Sequence, residues 1–287
     1  GSMKTALLIF VVLLAGPARV PPPASAQGGV GHFSKEGLAF DHPAGWTLAD
    51  TSNAELQRVV LTRAGGSNII MVFAQRQLIT TAAQLYASRA GVTMPYVENI
   101  AHKLGLNRPP QPDEAQCVAV GGRFAVGFSM SGELGGEPTR AEVYTIVLGQ
   151  RLLHLVHVRA EADEAAGAAA WKTLLDTLKV EAPAQPSPEA DKIERIVMGG
   201  VLNGKAVKKP APEYPPLARG ARASGTVTVY VVVDEQGAVE SAMPVAGHPL
   251  LQATSAEAAR KAKFTPTTLC GHPVKVSGVI TYNYVLR

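Results

Sequence analysis

Residues 183–192 (P-A-Q-P-S-P-E-A-D-K) are Pro-rich and polar, without hydrophobic periodicity, and read as a semi-rigid linker. A break of this kind forbids one continuous core. It leaves about 150 residues before it and about 90 after it, each enough for a core of its own. The boundaries this predicts are residues 1–26, 30–182, 183–206 and 207–287. Hydrophobic residues make up 46% of the chain and charged residues 17%, which excludes a disordered protein. The formal net charge of +4 is too small to point to nucleic acid. The basic excess sits in residues 199–287, where 10 Lys and Arg face 5 Asp and Glu. Two cysteines exclude a disulfide-rich scaffold and a Cys-based zinc cluster.

The first 26 residues read as a cleavable signal peptide. Lys4 supplies the positive charge, Ala6–Ala15 the apolar stretch, and Ala24-Ser25-Ala26 the cleavage pattern. An apolar stretch of about 10 residues spans roughly 15 Å, too little for the bilayer core. Gly16-Pro17 and Pro21-Pro22-Pro23 then interrupt any helix. No Cys follows to carry a lipid. The expectation is an exported, periplasmic protein with no integral membrane anchor. In such a compartment Cys117 and Cys270 can pair only if their Cα atoms come within about 7 Å, and two separate buried thiols fit the sequence as well.

Residues 30–182 alternate short β-rich runs with helical spacing. Gly37–His42 alternates in polarity and Pro43-Ala44-Gly45-Trp46 makes a turn. Val59–Thr62 and Asn68–Gln75 are β-rich around a hairpin loop. Thr80–Leu104 has helical spacing with a break near Gly91–Pro95. Four Gly-bounded runs follow, Cys117–Val120, Arg123–Met130, Ala141–Leu148 and Leu152–Arg159, and predict an antiparallel meander. Asp163–Leu178 is a helix whose Trp171, Leu174, Leu175 and Leu178 share one face. The opening Phe33–Trp46 (F-x-x-x-G-L-A-F-D-H-P-A-G-W) and the closing Ala170–Val180 (A-W-K-T-L-L-D-T-L-K-V) resemble PsbP-like α/β sandwiches. That resemblance implies an antiparallel-sheet α/β sandwich that binds or assists rather than catalyses, and it gives no site residue.

Residues 207–287 begin with the extended run Pro210–Pro216, followed by one or two helical turns over Leu217–Arg222. In Thr226–Asp234 the valines 227, 229, 231 and 233 fall on one face. Asp234–Gly237 is a hairpin turn and Val239–Val245 the returning strand. A helix opens at His248-Pro249, carries a small-residue stripe through Leu251, Thr254, Ser255, Ala258, Ala259 and Ala262, and ends before Pro266. The last strand is Val274–Leu286. From the residues alone this strand could close the sheet or pair in a homodimer.

Several landmarks stand in order: Tyr214-Pro215, Gly225, Asp234 to Gly237, Phe264 and Pro266, and Gly271 to Val274. Together they resemble the TonB C-terminal domain. The resemblance agrees with the element order, which predicts a three-stranded antiparallel sheet with two helices here and, with the N-terminal sandwich, an α+β chain. It implies recognition of an extended peptide, the TonB box of an outer-membrane transporter or a like segment of another envelope protein, added as a strand to the sheet edge. The residues it singles out are Pro212, Tyr214 and Pro215 before the first helix, and Val274, Val276, Val279, Thr281 and Asn283 on the last strand. Two departures stand out. Pro210-Ala211-Pro212 lacks the glutamine frequent in the family, and a cleavable leader replaces its membrane helix. The expectation is therefore a TonB-like binding or accessory protein, not an enzyme, with no cofactor and no nucleic acid.

Other patterns carry less. His154 and His157 lie three apart, so a strand sends them to opposite faces, which disfavours a shared metal. Gly127–Gly132 misses a nucleophile elbow by one position and lies within a predicted strand. Cys270 stands two positions before His272, too close in sequence to aim with it at one point. An envelope hydrolase would need His42, His102, Asp41 or Glu142 to meet in a cleft of the N-terminal domain. A structural or homodimerising role is the remaining alternative.

Overall fold

A computed structural model describes residues 30–63, 68–88, 94–110, 116–185, 196–202, 206–269 and 271–286. The predicted leader, most of the Pro-rich stretch and Cys270 lie outside the described residues. The chain divides into two compact units between residues 194 and 195.

In the first unit, β1 (Gly31–Lys35) and β2 (Leu38–His42) form a hairpin. Then come β3 (Trp46–Asp50), β4 (Leu56–Arg63) and β5 (Asn68–Leu78). Two helices follow, α1 (Ala82–Ser88) and α2 (Met94–Lys103). Next are β6 (Gln116–Val120), β7 (Arg123–Leu134), β8 (Glu137–Leu148), β9 (Arg151–Ala160), α3 (Glu164–Thr177) and β10 (Lys179–Val180). Seven strands make one antiparallel sheet in the order β3-β4-β5-β9-β8-β7-β6, so the meander runs through its second half. The β1–β2 hairpin and β10 form a second, three-stranded sheet.

The seven-stranded sheet is covered on both faces. One face packs Leu61, Ile70, Val72 and Leu155 against Phe40 of β2 and Trp171 and Leu174 of α3. The other packs Ile69, Met71, Phe73 and Val156 against Val97, Ile100 and Leu104, on or just after α2. Double coverage explains why Ile69–Ala74 and Leu152–Val158 are nearly unbroken apolar runs, a pattern that a one-sided sheet does not produce. His154 and His157 do face opposite ways. His154 stacks on Tyr96 at 5.9 Å between centroids, and His157 lies 5.3 Å from Trp171. Cys117 is disulfide-bonded.

The second unit contains β11 (Ile196–Val201), β12 (Ala206–Lys208), α4 (Pro216–Gly220), β13 (Gly225–Val233), β14 (Val239–Ala246) and α5 (Pro249–Arg260). Short strands β15 (Lys263–Phe264), β16 (Thr268–Leu269) and β17 (His272–Pro273) precede the long β18 (Lys275–Tyr284). The main sheet runs β11-β18-β13-β14. Its antiparallel part, β18-β13-β14, is the expected three-stranded sheet. The fourth strand is a difference: β11 comes from the stretch assigned to the linker and pairs parallel to β18. The reason is physical. Ile196, Val197 and Val201 are β-branched, and the side of β18 away from β13 presents main-chain groups to an extended segment that reaches it.

Helix α5 lies over this sheet with Leu251, Ala258 and Ala259 in the core beside Val229, Val231 and Ile280. Its small polar residues have a use that apolar patterning hides. Ser255 Oγ and Thr254 Oγ1 lie 2.8 and 3.0 Å from the Tyr284 hydroxyl, which satisfies a buried phenol. Gly237, in the β13–β14 turn, has φ +81°, and a Cβ there would fall 2.0 Å from the Phe264 carbonyl oxygen. Gly237→Ala is expected to destabilise the second unit by about 1–3 kcal/mol, through left-handed strain and loss of that close approach. Urea unfolding followed by NMR signals of β13 checks this, and an unchanged midpoint would contradict it.

Candidate functional site

The candidate site is the outer edge of β18 with the segment that leads into α4. Pairing with β13 runs unbroken from Gly225↔Tyr284 to Val233↔Val276 and occupies one side of the strand. On the other side, the Val279 carbonyl accepts from Leu202 N–H at 2.9 Å, and the Thr281 carbonyl accepts from Lys209 Nζ at 2.7 Å. Strand alternation therefore turns the main-chain groups of Val279, Thr281 and Asn283 to the outer side, and those of Val276, Ile280 and Tyr282 to β13.

The outer edge has two halves. From Lys275 to Val279 it is covered by β11, in a register that runs from Ile196↔Lys275 to Val201↔Val279. Beyond Val279 it borders a cleft of about 410 Å³ lined by Lys209, Pro210, Ala211, Pro212, Thr281, Tyr282 and Asn283. Proline fixes the backbone of this lead-in segment, so one wall of the cleft is rigid before anything binds. The Lys209 ammonium sits 4.9 Å from the Tyr282 ring centroid, and burial lowers its pKa from the ordinary lysine value. The Tyr282 hydroxyl is pushed up to about 12, by burial first and by Tyr284 second, so it stays protonated.

The eight residues singled out from the sequence separate into groups. Pro212, Thr281 and Asn283 meet at the cleft. Val279 meets β11 instead. Tyr214 is a packing residue: its hydroxyl donates to the Ala223 carbonyl and its ring sits edge-on to Tyr284 at 5.4 Å. Pro215 stands in extended conformation at the N-cap position of α4, without a side-chain cap. Val276 is in the core, and Val274 N–H donates to the Thr267 carbonyl. Sequence reading missed Lys209 and β11. A lysine directly before a proline run at a sheet edge is a signal that could have found the first.

The hydrolase candidates have other partners. Asp41 pairs with His32 at 2.6 Å, and Glu142 accepts from Arg159 at 2.7 Å. His102 is in the last turn of α2. Ser129 Oγ accepts from Arg140 Nε at 2.9 Å. Among the described residues no group of three His, Cys, Asp or Glu side chains could hold a metal ion, and no helix is long and apolar enough to cross a membrane.

An extended lead-in before a short helix, two antiparallel strands, a helix and a long last strand is the arrangement the sequence landmarks implied. Residues 210–286 match the family of the Gram-negative bacterial TonB protein C-terminal. The TonB-like region therefore takes in β13, β14, α5, β18 and most of the cleft, while β11 and Lys209 lie ahead of it. No curated protein matches the sequence. Solved structures similar to the chain include a protein from Bacteroides thetaiotaomicron (TM-score 0.37, 12% identity, 55% of this chain and 51% of that one). Others are the cyanobacterial PsbP (CyanoP) of Synechocystis (0.36, 16%, 57% and 99%) and the TonB C-terminal domain of Pseudomonas aeruginosa (0.24, 22%, 31% and 96%). The chain thus spans about half the length of the Bacteroides protein.

Proposed function

We propose that this is a periplasmic TonB-like binding protein, not an enzyme. Its second unit takes up an extended peptide of an outer-membrane transporter, or of another envelope protein, as a strand beside β18. The observation that carries this reading is the outer edge itself. β18 already accepts a parallel strand there, and the acceptor row continues past Val279 into the cleft beside Pro212. Main-chain hydrogen bonds would supply affinity and the cleft side-chain selectivity. The basic excess of residues 199–287 suits an acidic partner surface.

The test is an NMR titration of the full chain with peptides from the periplasm-facing N-terminal segments of TonB-dependent transporters. A fragment that begins at residue 199 would cut through β11 and alter the edge under study. Shifts centred on Val279–Asn283 and Lys209–Pro212 are expected. No shifts at millimolar peptide, in a variant whose β11 cannot pair, would refute strand addition here. A full chain that sediments as a dimer, with β18 amides protected by the partner, would move the reading to homodimerisation.

A further inference from the structure

The strand on the outer side of β18 belongs to this chain, so the proposed partner and β11 compete for the same backbone. Pairing with β11 uses Lys275–Val279, the first half of the edge a partner would need. We propose that Ile196–Leu202 masks the recognition edge in cis, and that the partner replacing it is an extended segment with a bulkier apolar side chain at the Leu202 position. This rests on the strand-addition reading above and adds what controls it and what the incoming strand looks like.

Three features make β11 the separable strand of the sheet. Its register shifts between Met198 and Gly200, so Gly199 drops out of the pairing. Two successive glycines, Gly199 and Gly200, cost conformational entropy and offer no side chain to pack. Its pairing is parallel and short, whereas β13 and β18 pair antiparallel over nine consecutive positions. Removing β11 leaves the antiparallel sheet β18-β13-β14 with α5 still packed on it.

Leu202 anchors the mask. Its side chain is 3% exposed, and its N–H donates to the Val279 carbonyl at 2.9 Å. It lines one wall of a cleft of about 360 Å³, together with Val233, Phe264, Pro266 and Val276. The cleft continues past Leu202, so a longer apolar side chain at that position would reach farther along its wall. A larger apolar side chain, such as phenylalanine, would bury more surface there than Leu202 does. A partner with such a residue competes with the cis strand, and one without it meets an edge already occupied.

Apparent affinity falls by the fraction of molecules in which the edge is open. The probes are two labelled peptides, one with the sequence of residues 195–202 and one carrying phenylalanine in place of its leucine. The proteins are the full chain and its Val197→Pro variant, which removes a donor from the β11 pairing. The expected result is binding at least ~10-fold tighter to the variant than to wild type, with the phenylalanine peptide the tighter of the two. Equal affinity for both proteins, or no binding to the folded variant, would overturn the proposal. Should the variant fail to fold, hydrogen exchange on the unmodified chain decides. Leu202 and Val279 amides are expected to exchange at least ~100-fold faster than those of Val229 and Ile280, through a local opening. Equal rates would show that the mask does not open by itself. No transporter peptide is used, so failure of the transporter assignment leaves this result readable, and the reverse also holds.

Discussion

Arg159→Ala is expected to lower the stability of the first unit by about 3–5 kcal/mol, the usual cost of breaking a buried ion pair from one side. Arg159 Nη1 donates to Glu142 Oε2 at 2.7 Å, while Nε and Nη2 donate to the Glu164 carboxylate at 2.7 and 2.9 Å. The guanidinium is 4% exposed and the Glu142 side chain 13%. Nη1 also lies 2.9 Å from His157 Nδ1, and arginine can only donate. His157 is therefore neutral, with its proton on Nε2, which donates to Asn68 Oδ1 at 3.1 Å. Without Arg159 the Glu142 carboxylate stays buried beside a neutral imidazole. Both tryptophans of the chain are in the first unit, so urea unfolding followed by tryptophan fluorescence reports that unit alone. A loss below about 1 kcal/mol would mean that the network does not hold the sheet as described.

The same network sets the acid limit of the unit. Burial pushes the Glu142 carboxyl up, but the Arg159 guanidinium more than offsets this and holds it well below the ordinary carboxylate value. A carboxylate depressed in the fold contributes stability above its unfolded pKa, and that stability is lost as pH falls through the window. As pH falls below 4.5 the contribution of Glu142 fades, because its carboxyl takes up a proton more readily in the unfolded chain than in the fold. His157 adds to the slope from a higher pH. Burial lowers its pKa below 6.5, so the unfolded chain takes up a proton that the folded one refuses. Arg159→Ala should flatten the part below pH 4.5, because Glu142 is then no longer held down.

How much of this could be read beforehand depended on how local each cause is. The α5 helix, the Asp234–Gly237 turn and the β18 strand rest on near-neighbour patterns; the turn and β18 appear within a residue or two of their expected bounds, while α5 stops at Arg260, short of the expected end. The Trp171 face of α3 was equally plain, since four apolar residues at helical spacing need a sheet to cover them. The ion-pair network left a trace that went unused. His157 and Arg159 are two apart and so share a face, and charges inside apolar strands must meet a partner. Glu142 is directly opposite His157 in the β8–β9 register, which only the folded sheet reveals. The β11 strand was the least legible. Its partner lies more than seventy residues away, its glycines weaken the pattern, and the prolines ahead of it suggest a linker.

Thr281→Pro separates the proposed partner from the cis strand. The described β11 register ends at Val201↔Val279, ahead of position 281. The outward turn of the Thr281 main chain means that a proline there leaves the β13 ladder intact. Tyr282→Pro, one residue on, would instead remove an inward donor and disrupt the fold. A strand added beside the substituted position would lose one ladder bond and keep an unsatisfied buried carbonyl. Those losses are about 1 kcal/mol and 1–3 kcal/mol, together roughly a 100-fold fall in affinity. The expected outcome is a folded variant that keeps the amide pattern of β13 and β14, keeps the wild-type exchange rate at Leu202, and loses transporter-peptide binding by that factor. Val279→Pro should behave differently, because it strips the mask and the partner together. If Thr281→Pro binds peptide as tightly as wild type, the incoming strand ends at or before Val279, the cleft beside Pro212 takes no part, and recognition is confined to the stretch that β11 covers.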